Sequence, residues 1–391
     1  MPKRVVILGA GYAGLVTALE LRKNATPEDT EVILVNKHNY HQLVTQLHEL
    51  GAGAKSDTSA RIMIEPVIRN KYITLIKDHV ESIDPKEKRV RLSQQELSYD
   101  YLVVALGSET EYFGIPGLKE HSFILKSINQ ARLLRTHIER CFAEYHYTRD
   151  ESLLTFVVGG AGFSGIELVG EFADRMPVLC EENNIPLDKV KLFNVEAAPS
   201  ILPGFDKELV ERAEKSLTER GVKFLVGVPI VQVEPGKVHL KNGDVIATQT
   251  LVWTGGVRGN QIVIDAGFET EPRGRAKVNE YLQALGYEDV YIIGDSCFII
   301  NEETGRPYPP TAQIAGQMGT AVGKYLFADL RGGTKEPFKP QIMGSIASLG
   351  RKDAIAKIGK NYQATGRFAY IVKDMSKLRY LAKIGAVIKK A

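Results

Sequence analysis

The stretch Val5-Val6-Ile7-Leu8-Gly9-Ala10-Gly11-Tyr12-Ala13-Gly14 decides how this chain is read. Four apolar, largely β-branched residues predict a buried strand, and Leu15, Leu19 and Leu21 continue as a helical pattern. Between them stands GxGxxG. The first glycine serves a tight turn, the second lets the backbone approach a pyrophosphate, and the third permits close packing of helix on strand. The helix N-terminus then offers free N–H groups and positive potential to phosphate. A further strand at residues 31–35 completes a βαβ unit, so Gly9, Gly11 and Gly14 read as a dinucleotide site. An acid commonly ends that second strand and meets the ribose; here the position is Asn36, followed by Lys37. An amide still bonds a hydroxyl, without charge assistance.

The signature returns at Gly160-Ala161-Gly162-Phe163-Ser164-Gly165, after a strand at residues 155–158 and before a helix predicted over 163–182, with Pro177 as a possible kink. The next strand, 191–195, ends in Glu196. A carboxylate there accepts from a 2′-hydroxyl and repels a 2′-phosphate, and Ala197 and Ala198 supply no arginine. The second site reads as NAD(H) rather than NADP(H); the plainer alternative is a surface Glu closing a strand. Downstream come a helix near 206–220, strands at 222–226, 237–240 and 245–247 with an Asn242-Gly243 hairpin turn, and Trp253-Thr254-Gly255-Gly256. Gly256 either admits the nicotinamide half closely or is a plain turn. A helix is expected over 309–324, strands and turns over 331–366, and a basic helix over 367–391.

At 391 residues, 44% apolar and 25% charged, the chain has the composition of an ordinary soluble α/β protein of two or three domains. Cys141, Cys180 and Cys297 are too far apart for a disulfide framework or zinc spacing, and a reducing cytosol is the expectation. The start, MPKRVVILGAG, leaves no room for a signal peptide, and no run of about 18 apolar residues predicts a membrane span. The net charge of +3 is uneven: Arg367, Lys373, Lys377, Arg379, Lys383, Lys389 and Lys390 face only Asp374 in the last stretch. The rest is slightly acidic and carries no nucleic-acid footprint. His38, His41 and His48 cluster without ligand spacing, so no metal site is read.

Val290-Tyr291-Ile292-Ile293-Gly294-Asp295 is a late strand ending in Gly-Asp, and Tyr99 to Gly107 spells YDYLVVALG. Two fingerprints followed by such a strand resemble the flavoprotein pyridine-nucleotide oxidoreductases, the glutathione-reductase-like superfamily. That resemblance implies FAD on the first unit, through Gly9, Gly11, Gly14, Asn36, Lys37, Gly107, Gly294, Asp295 at the ribityl chain, Ala312 and Gln313. It implies NADH on the second, inserted unit, through Gly160, Gly162, Gly165, Glu196 and Gly256. Residues 38–60 hold no cysteine pair, and the lone Cys297 reads as a small buried apolar residue. Without a dithiol, electrons must leave the flavin for a diffusible acceptor.

Ala312-Gln313-Ile314-Ala315-Gly316-Gln317 resembles the AQxAxQ stretch of the type II NADH:quinone oxidoreductases, and Gly344-Ser345-Ile346-Ala347-Ser348-Leu349-Gly350-Arg351 resembles the segment that follows it there. The match spans the chain. It implies a single-subunit respiratory dehydrogenase that does not pump protons, with non-covalent FAD, NADH as substrate and a quinone as acceptor. It further implies a homodimer bound peripherally to one leaflet of the cell membrane, on the cytoplasmic side. Gln313 and Gln317 would lie beside quinone and flavin, and Glu171 would supply a proton. From spacing alone the two amides are equally ordinary polar helix positions, and Glu167 and Glu171 equally a solvated face.

The expected architecture is therefore α/β: two Rossmann-like domains plus a C-terminal membrane-associating region. Residues 1–112 and 276–330 would form the FAD domain, 113–275 the NADH domain, and 331–391 the C-terminal region. On a helical projection Tyr370, Ile371, Met375, Leu378, Leu381, Ile384 and Ile388 share one arc. Arg379, Lys383 and Lys390 lie opposite, with Lys373 and Lys377 at a margin where they can snorkel. Such a helix can lie in a membrane interface, or pack on the body or a second subunit. The runner-up functions are a soluble NADH-dependent ferredoxin or rubredoxin reductase, an NADH oxidase, or a flavin-stabilised signalling protein.

Overall fold

The computed structural model describes residues 2–359 and 362–386. Strand β1 (Lys3–Leu8) leads through the glycine turn into α1 (Tyr12–Leu21) and on to β2 (Thr30–Asn36), β3 (Ile73–Lys77) and β4 (Tyr101–Val104). Val5, Val6, Ile7 and Leu8 are fully buried, which suits a continuous apolar run in a parallel sheet covered on both faces. The strands pair in parallel in the order β4–β1–β2–β3, and Val290–Ile292, from far downstream, adds to β4 as the fifth. Between β3 and β4, Val80–Asp84, Arg89–Leu92 and Glu96–Ser98 form an antiparallel sheet.

The later chain repeats this plan. It runs through β5 (Phe123–Ile124), α2 (Ile128–Thr148), β6 (Thr155–Gly159), α3 (Phe163–Glu182), β7 (Lys191–Glu196), β8 (Val222–Val226) and β9 (Thr250–Trp253). Its parallel sheet has the order β5–β9–β6–β7–β8. An antiparallel sheet of Ile230–Glu234, Lys237–Leu240 and Val245–Ala247 again lies between its last two major strands in sequence. Helix α2 is absent from the sequence expectations, although Ile128, Ala131, Leu134, Ile138, Cys141, Phe142 and Tyr145 bury one face at helical spacing. Ser127 caps it, its Oγ accepting from Gln130 N–H at 3.2 Å.

After β10 (Val290–Ile292), helix α4 (Ala312–Arg331) begins past Pro309-Pro310 and ends later than expected, closed by Gly332 at φ 67°. It crosses α1 at close range. A Cβ on Gly319 would stand 2.4 Å from the Ala13 carbonyl oxygen, and one on Gly323 would stand 2.6 Å from Glu20 Cβ. Strands β11 (Gly344–Ser348), β12 (Ala354–Ile358) and β13 (Tyr362–Thr365) form an antiparallel sheet, followed by α5 (Gly366–Lys383).

Helix α5 corrects the projected arc. Leu381 and Ile384 are buried in the body, as is Ala369, and Tyr370 is partly buried. Phe368, Ile371, Met375 and Leu378 stand outward, 46–62% exposed. Lys373 and Lys377 turn inward rather than snorkelling outward, while Lys383 stays exposed. Lys373 reaches Glu167, Lys377 Nζ donates to Gln46 Oε1 at 3.3 Å, and Lys383 Nζ donates to Thr320 Oγ1 at 2.7 Å. A projection shows which residues share a face, not which face meets the protein, and here the buried acceptors Glu167 and Gln46 draw Lys373 and Lys377 in. Ile388, Lys389 and Lys390 lie outside the described residues. Among the described residues, no helix is long and apolar enough to cross a membrane.

Candidate functional site

At the first turn a Cβ on Gly9 (φ 98°) would lie 2.4 Å from the Ala105 carbonyl oxygen, and one on Gly14 would lie 1.9 Å from the Gly9 carbonyl oxygen. Packing therefore demands both glycines. Gly11 differs: nothing lies within 4 Å of its Cβ position, and no side chain caps α1. That open side, over a free helix N-terminus, fits a pyrophosphate. Asn36 serves the turn itself. Its Oδ1 accepts from Ala10 N–H at 3.0 Å, and its Nδ2 donates to the His38 and Tyr40 carbonyls at 2.8 and 3.3 Å. Lys37 beside it is exposed. Buried His41 bridges the Ala10 carbonyl (2.8 Å) and the Tyr380 hydroxyl of α5 (3.0 Å), and burial pushes its pKa down to about 4.

The same sheet edge gathers the later FAD candidates, because β4 and β10 pair in parallel and end together. Gly107 has φ 75° and open space at its Cβ position; Gly294, at φ 69°, ends β10. Ser296 Oγ donates to the Gly107 carbonyl at 2.8 Å. Asp295 Oδ2 accepts from Ser108 Oγ at 3.0 Å, and Lys126 Nζ donates to that Ser108 Oγ at 2.8 Å. Ala312 starts α4 above this edge. Gln313 Oε1 accepts from Met343 N–H at 3.1 Å, while Gln317 bonds the Gln341 backbone with both ends of its amide, at 2.8 Å each.

The second turn reproduces the first. A Cβ on Gly160 (φ 101°) would meet Gly255 Cα at 2.8 Å, one on Gly165 would meet the Gly160 carbonyl oxygen at 1.9 Å, and Gly162 has nothing within 4 Å. Glu196 Oε2 accepts from Ala161 N–H at 2.6 Å and Oε1 from Ala198 N–H at 2.8 Å. At Gly256 the Cβ position meets the far edge of the half-exposed Phe113 ring, 2.9 Å away.

Helix α3 carries Glu167 and Glu171 into the interior rather than along a solvated face; they are 9% and 2% exposed. Burial favours the neutral carboxyl, yet Lys373, His48 and the Ser348 N–H together hold Glu167 below the ordinary carboxylate value. Lys373 Nζ also donates to Ser348 Oγ at 2.6 Å and lies 3.3 Å from His48 Nε2. Burial pushes His48 down to about 4, so it is neutral near pH 7. For Glu171, burial and then the Glu49 charge raise the pKa to about 7. Glu49 Oε1 takes Lys55 Nζ at 2.6 Å, whereas Glu49 Oε2 and Glu171 Oε2 are buried without a hydrogen-bond partner among the described residues. One donor atom each from His48, Glu49 and Glu171 lies within 4.8 Å of the others, a convergence that sequence spacing did not disclose.

Residues 3–319 match the pyridine nucleotide-disulphide oxidoreductase family. A type II NADH:quinone oxidoreductase of Staphylococcus aureus is 39% identical over 98% of this chain and 96% of its own. The chain belongs to the type II NADH:quinone oxidoreductases. Its fold is that of NDH2 from Plasmodium falciparum, solved in complex with NADH (TM-score 0.87, 17% identity, 98% of this chain and 96% of that one). The sulfide:quinone oxidoreductase of Aquifex aeolicus shares it at TM-score 0.80 and 20% identity, over 98% and 91% of the two chains.

In this family member Glu49 and Lys55 escaped the sequence reading, and His48, Ser348 and Lys373 were read there in other roles. His48, Glu49 and Lys55 come from a short helix and loop before β3, Ser348 from β11, and Lys373 from α5. They meet Glu167 and Glu171 only through packing of distant segments, and no local pattern marks them. Cys297 is buried at 5% exposure, and burial raises its thiol to about 12, in line with a small apolar role.

Proposed function

We propose that this chain oxidises NADH and reduces a membrane quinone through non-covalently bound FAD, without pumping protons. The observation that carries the reading is the pair of glycine cradles, each open only at its middle glycine, on the scaffold of a full-length quinone-reducing relative. Gly9, Gly11, Gly14, Asn36, Lys37, Gly107, Gly294, Asp295 and Ala312 hold FAD, which when bound supplies hydride acceptance and electron delivery. Gly160, Gly162, Gly165, Glu196 and the Gly256 turn hold NADH; Glu196 keeps a lone pair for the ribose 2′-hydroxyl and repels a 2′-phosphate. Glu171, half-protonated near pH 7, holds a proton close to its operating range for the quinone, which takes up two. Gln313, whose amide NH2 has no hydrogen bond among the described residues, and Gln317 lie on the quinone side. We assign no metal.

The two sheets support the division into an FAD domain (1–112 and 276–330) and an NADH domain (113–275), since each draws its strands from one set. Phe368, Ile371, Met375 and Leu378, together on the outward side of α5, support peripheral attachment to the cytoplasmic leaflet, with a homodimer presenting two such faces. Purified protein should carry FAD and oxidise NADH rapidly only when a quinone is added. Equal turnover with oxygen or an iron–sulfur protein alone would favour a soluble reductase or oxidase. Serine at all four outward positions should release the protein from anionic vesicles and keep FAD bound; retained binding would place the attachment elsewhere.

A further inference from the structure

Lys126 stands in the short link between β5 and α2, and side-chain amides hold its backbone from both sides. Gln42, from the first unit, donates through Nε2 to the Lys126 carbonyl at 3.0 Å and accepts through Oε1 from the Ile128 N–H at 2.8 Å. Gln130 Oε1 accepts from the Lys126 N–H at 3.0 Å. One carboxamide, Gln42, thus serves a carbonyl and an N–H together and ties this link of the second unit to the first. The lysine side chain crosses the same boundary. Its Nζ donates to Ser108 Oγ at 2.8 Å, and Ser108 Oγ donates to Asp295 Oδ2 at 3.0 Å. Ser108 opens the strand Ser108–Thr110, which pairs antiparallel with Val257–Gly259 on the connections between the two parallel sheets.

An ammonium has three protons to give and no lone pair. Among the described residues, Ser108 Oγ is the one hydrogen-bond acceptor of Lys126 Nζ, and it is a hydroxyl. Burial lowers the pKa of Lys126, while Asp295 and then Glu109 act to raise it. Glu109 is turned elsewhere, its Oε1 accepting from the Gln261 N–H at 3.2 Å. Local structure gives no reason for a cation at this place. The bond from Ser108 to Asp295 needs none, and a partly buried ammonium that meets only a hydroxyl carries a desolvation cost with no carboxylate in contact to offset it. What the lysine does have is a fixed backbone and a short polar path to the Asp295 end of the flavin seat.

We propose that Lys126 is a positioning residue that the second unit lends to the flavin seat of the first: its fixed positive charge, set beside Ser108 and Asp295, favours reduced over oxidised FAD. Hydride transfer breaks a C–H bond of the dihydronicotinamide and oxidises NADH to NAD+. The hydride carries two electrons and one proton to FAD and forms an N–H bond there, so the seat holds one more negative charge afterwards. A cation whose backbone is already held by two amides answers that charge without rearranging. This rests on FAD occupying the seat at Asp295.

The test uses purified holoenzyme and reads the flavin midpoint potential by spectroelectrochemical titration. Lys126→Gln keeps an N–H donor for Ser108 and removes the charge. It should weaken the hold on reduced FAD about tenfold relative to oxidised FAD, which lowers the midpoint potential by about 30 mV. Its ratio of flavin to protein should match the wild type. Lys126→Arg keeps the charge and should stay near the wild-type potential. An unmoved potential in Lys126→Gln would overturn the proposal and leave Lys126 as a structural pin between the units. So would a potential in Lys126→Arg as low as in Lys126→Gln, since charge would then not be the cause. Flavin retained in full by Gly11→Val would overturn the seat itself. A seat emptied by Gly11→Val, together with an unmoved potential in Lys126→Gln, would overturn the role of Lys126 alone.

Discussion

At the first turn Ala10 N–H donates to an amide, Asn36 Oδ1, at 3.0 Å; at the second Ala161 N–H donates to a carboxylate, Glu196 Oε2, at 2.6 Å. Both turns also tie the first glycine to the second strand, Gly9 N–H to the Val35 carbonyl and Gly160 N–H to the Val195 carbonyl, at 2.8 Å each. In each, the third glycine packs against the carbonyl of the first, the middle glycine faces open space, and β1 and β6 sit at the centre of matching five-stranded orders. What separates them is the company of their helices. Helix α1 is closed off by α4 through Gly319 and Gly323, with no room for a side chain. Helix α3 instead buries Glu167 and Glu171 against groups from three other segments. On the proposed reading, one local device serves as a cofactor seat in the first unit and, in the second, as a nucleotide seat joined to a titrating cluster.

The strongest test of this comparison substitutes the middle glycines, where a side chain meets no protein atom. Gly11→Val should fold and purify almost free of flavin, as read from the visible absorbance per protein. Gly162→Val should keep its flavin and lose rapid reduction by NADH in stopped flow. If both variants lose flavin alike, the two seats are not assigned as described.

Lys373→Met asks whether the second unit depends on its cluster. It leaves the Glu167 charge buried without its cation and should cost about 3 kcal/mol of stability, measured by thermal or urea unfolding. The Glu167 carboxyl lies below its ordinary value in the folded protein, so its contribution is present above about pH 4.5 and lost as pH falls through the folded value. Lys373→Met should remove that acid-side loss.

Glu171 has the opposite sign. Its folded pKa of about 7 exceeds the ordinary 4.5, so the native state binds the extra proton and stability declines as pH rises between those values. Glu171→Gln should abolish this decline and lower quinone turnover about a hundredfold, the order expected for a lost general acid. The remaining activity should lose its dependence on a group titrating near pH 7. Turnover unaffected by the substitution at any pH would remove Glu171 from proton delivery.

The smallest expected effect lies at the residues that differ between the turns. Glu196→Gln should narrow the preference for NADH over NADPH about tenfold by removing repulsion of the 2′-phosphate. Asn36→Asp should leave nucleotide preference untouched, because the first seat does not read it. A shift in preference from Asn36→Asp would contradict the assignment of the two units.

Much of this site was legible because its signals are local. At Gly9, Gly14, Gly160 and Gly165 a Cβ would collide with backbone, so these glycines declare themselves, and Glu196 follows from where its strand stops. The bounds of α3 follow from periodicity, and α2 could have been found the same way. The expected outward lysines of α5 failed for a different reason. Amphipathic spacing sets which residues share a face, and Lys373 lies 206 positions from the Glu167 that draws it inward. By itself the sequence determined the two nucleotide units, their order and the family they belong to, since these rest on steric demands within a few residues. Only the tertiary structure decided that α5 turns Lys373 and Lys377 inward and Phe368, Ile371, Met375 and Leu378 outward. It alone decided that Gln317 bonds the Gln341 backbone and that Glu171 titrates near neutrality, because desolvation and pairing depend on which distant segments pack together.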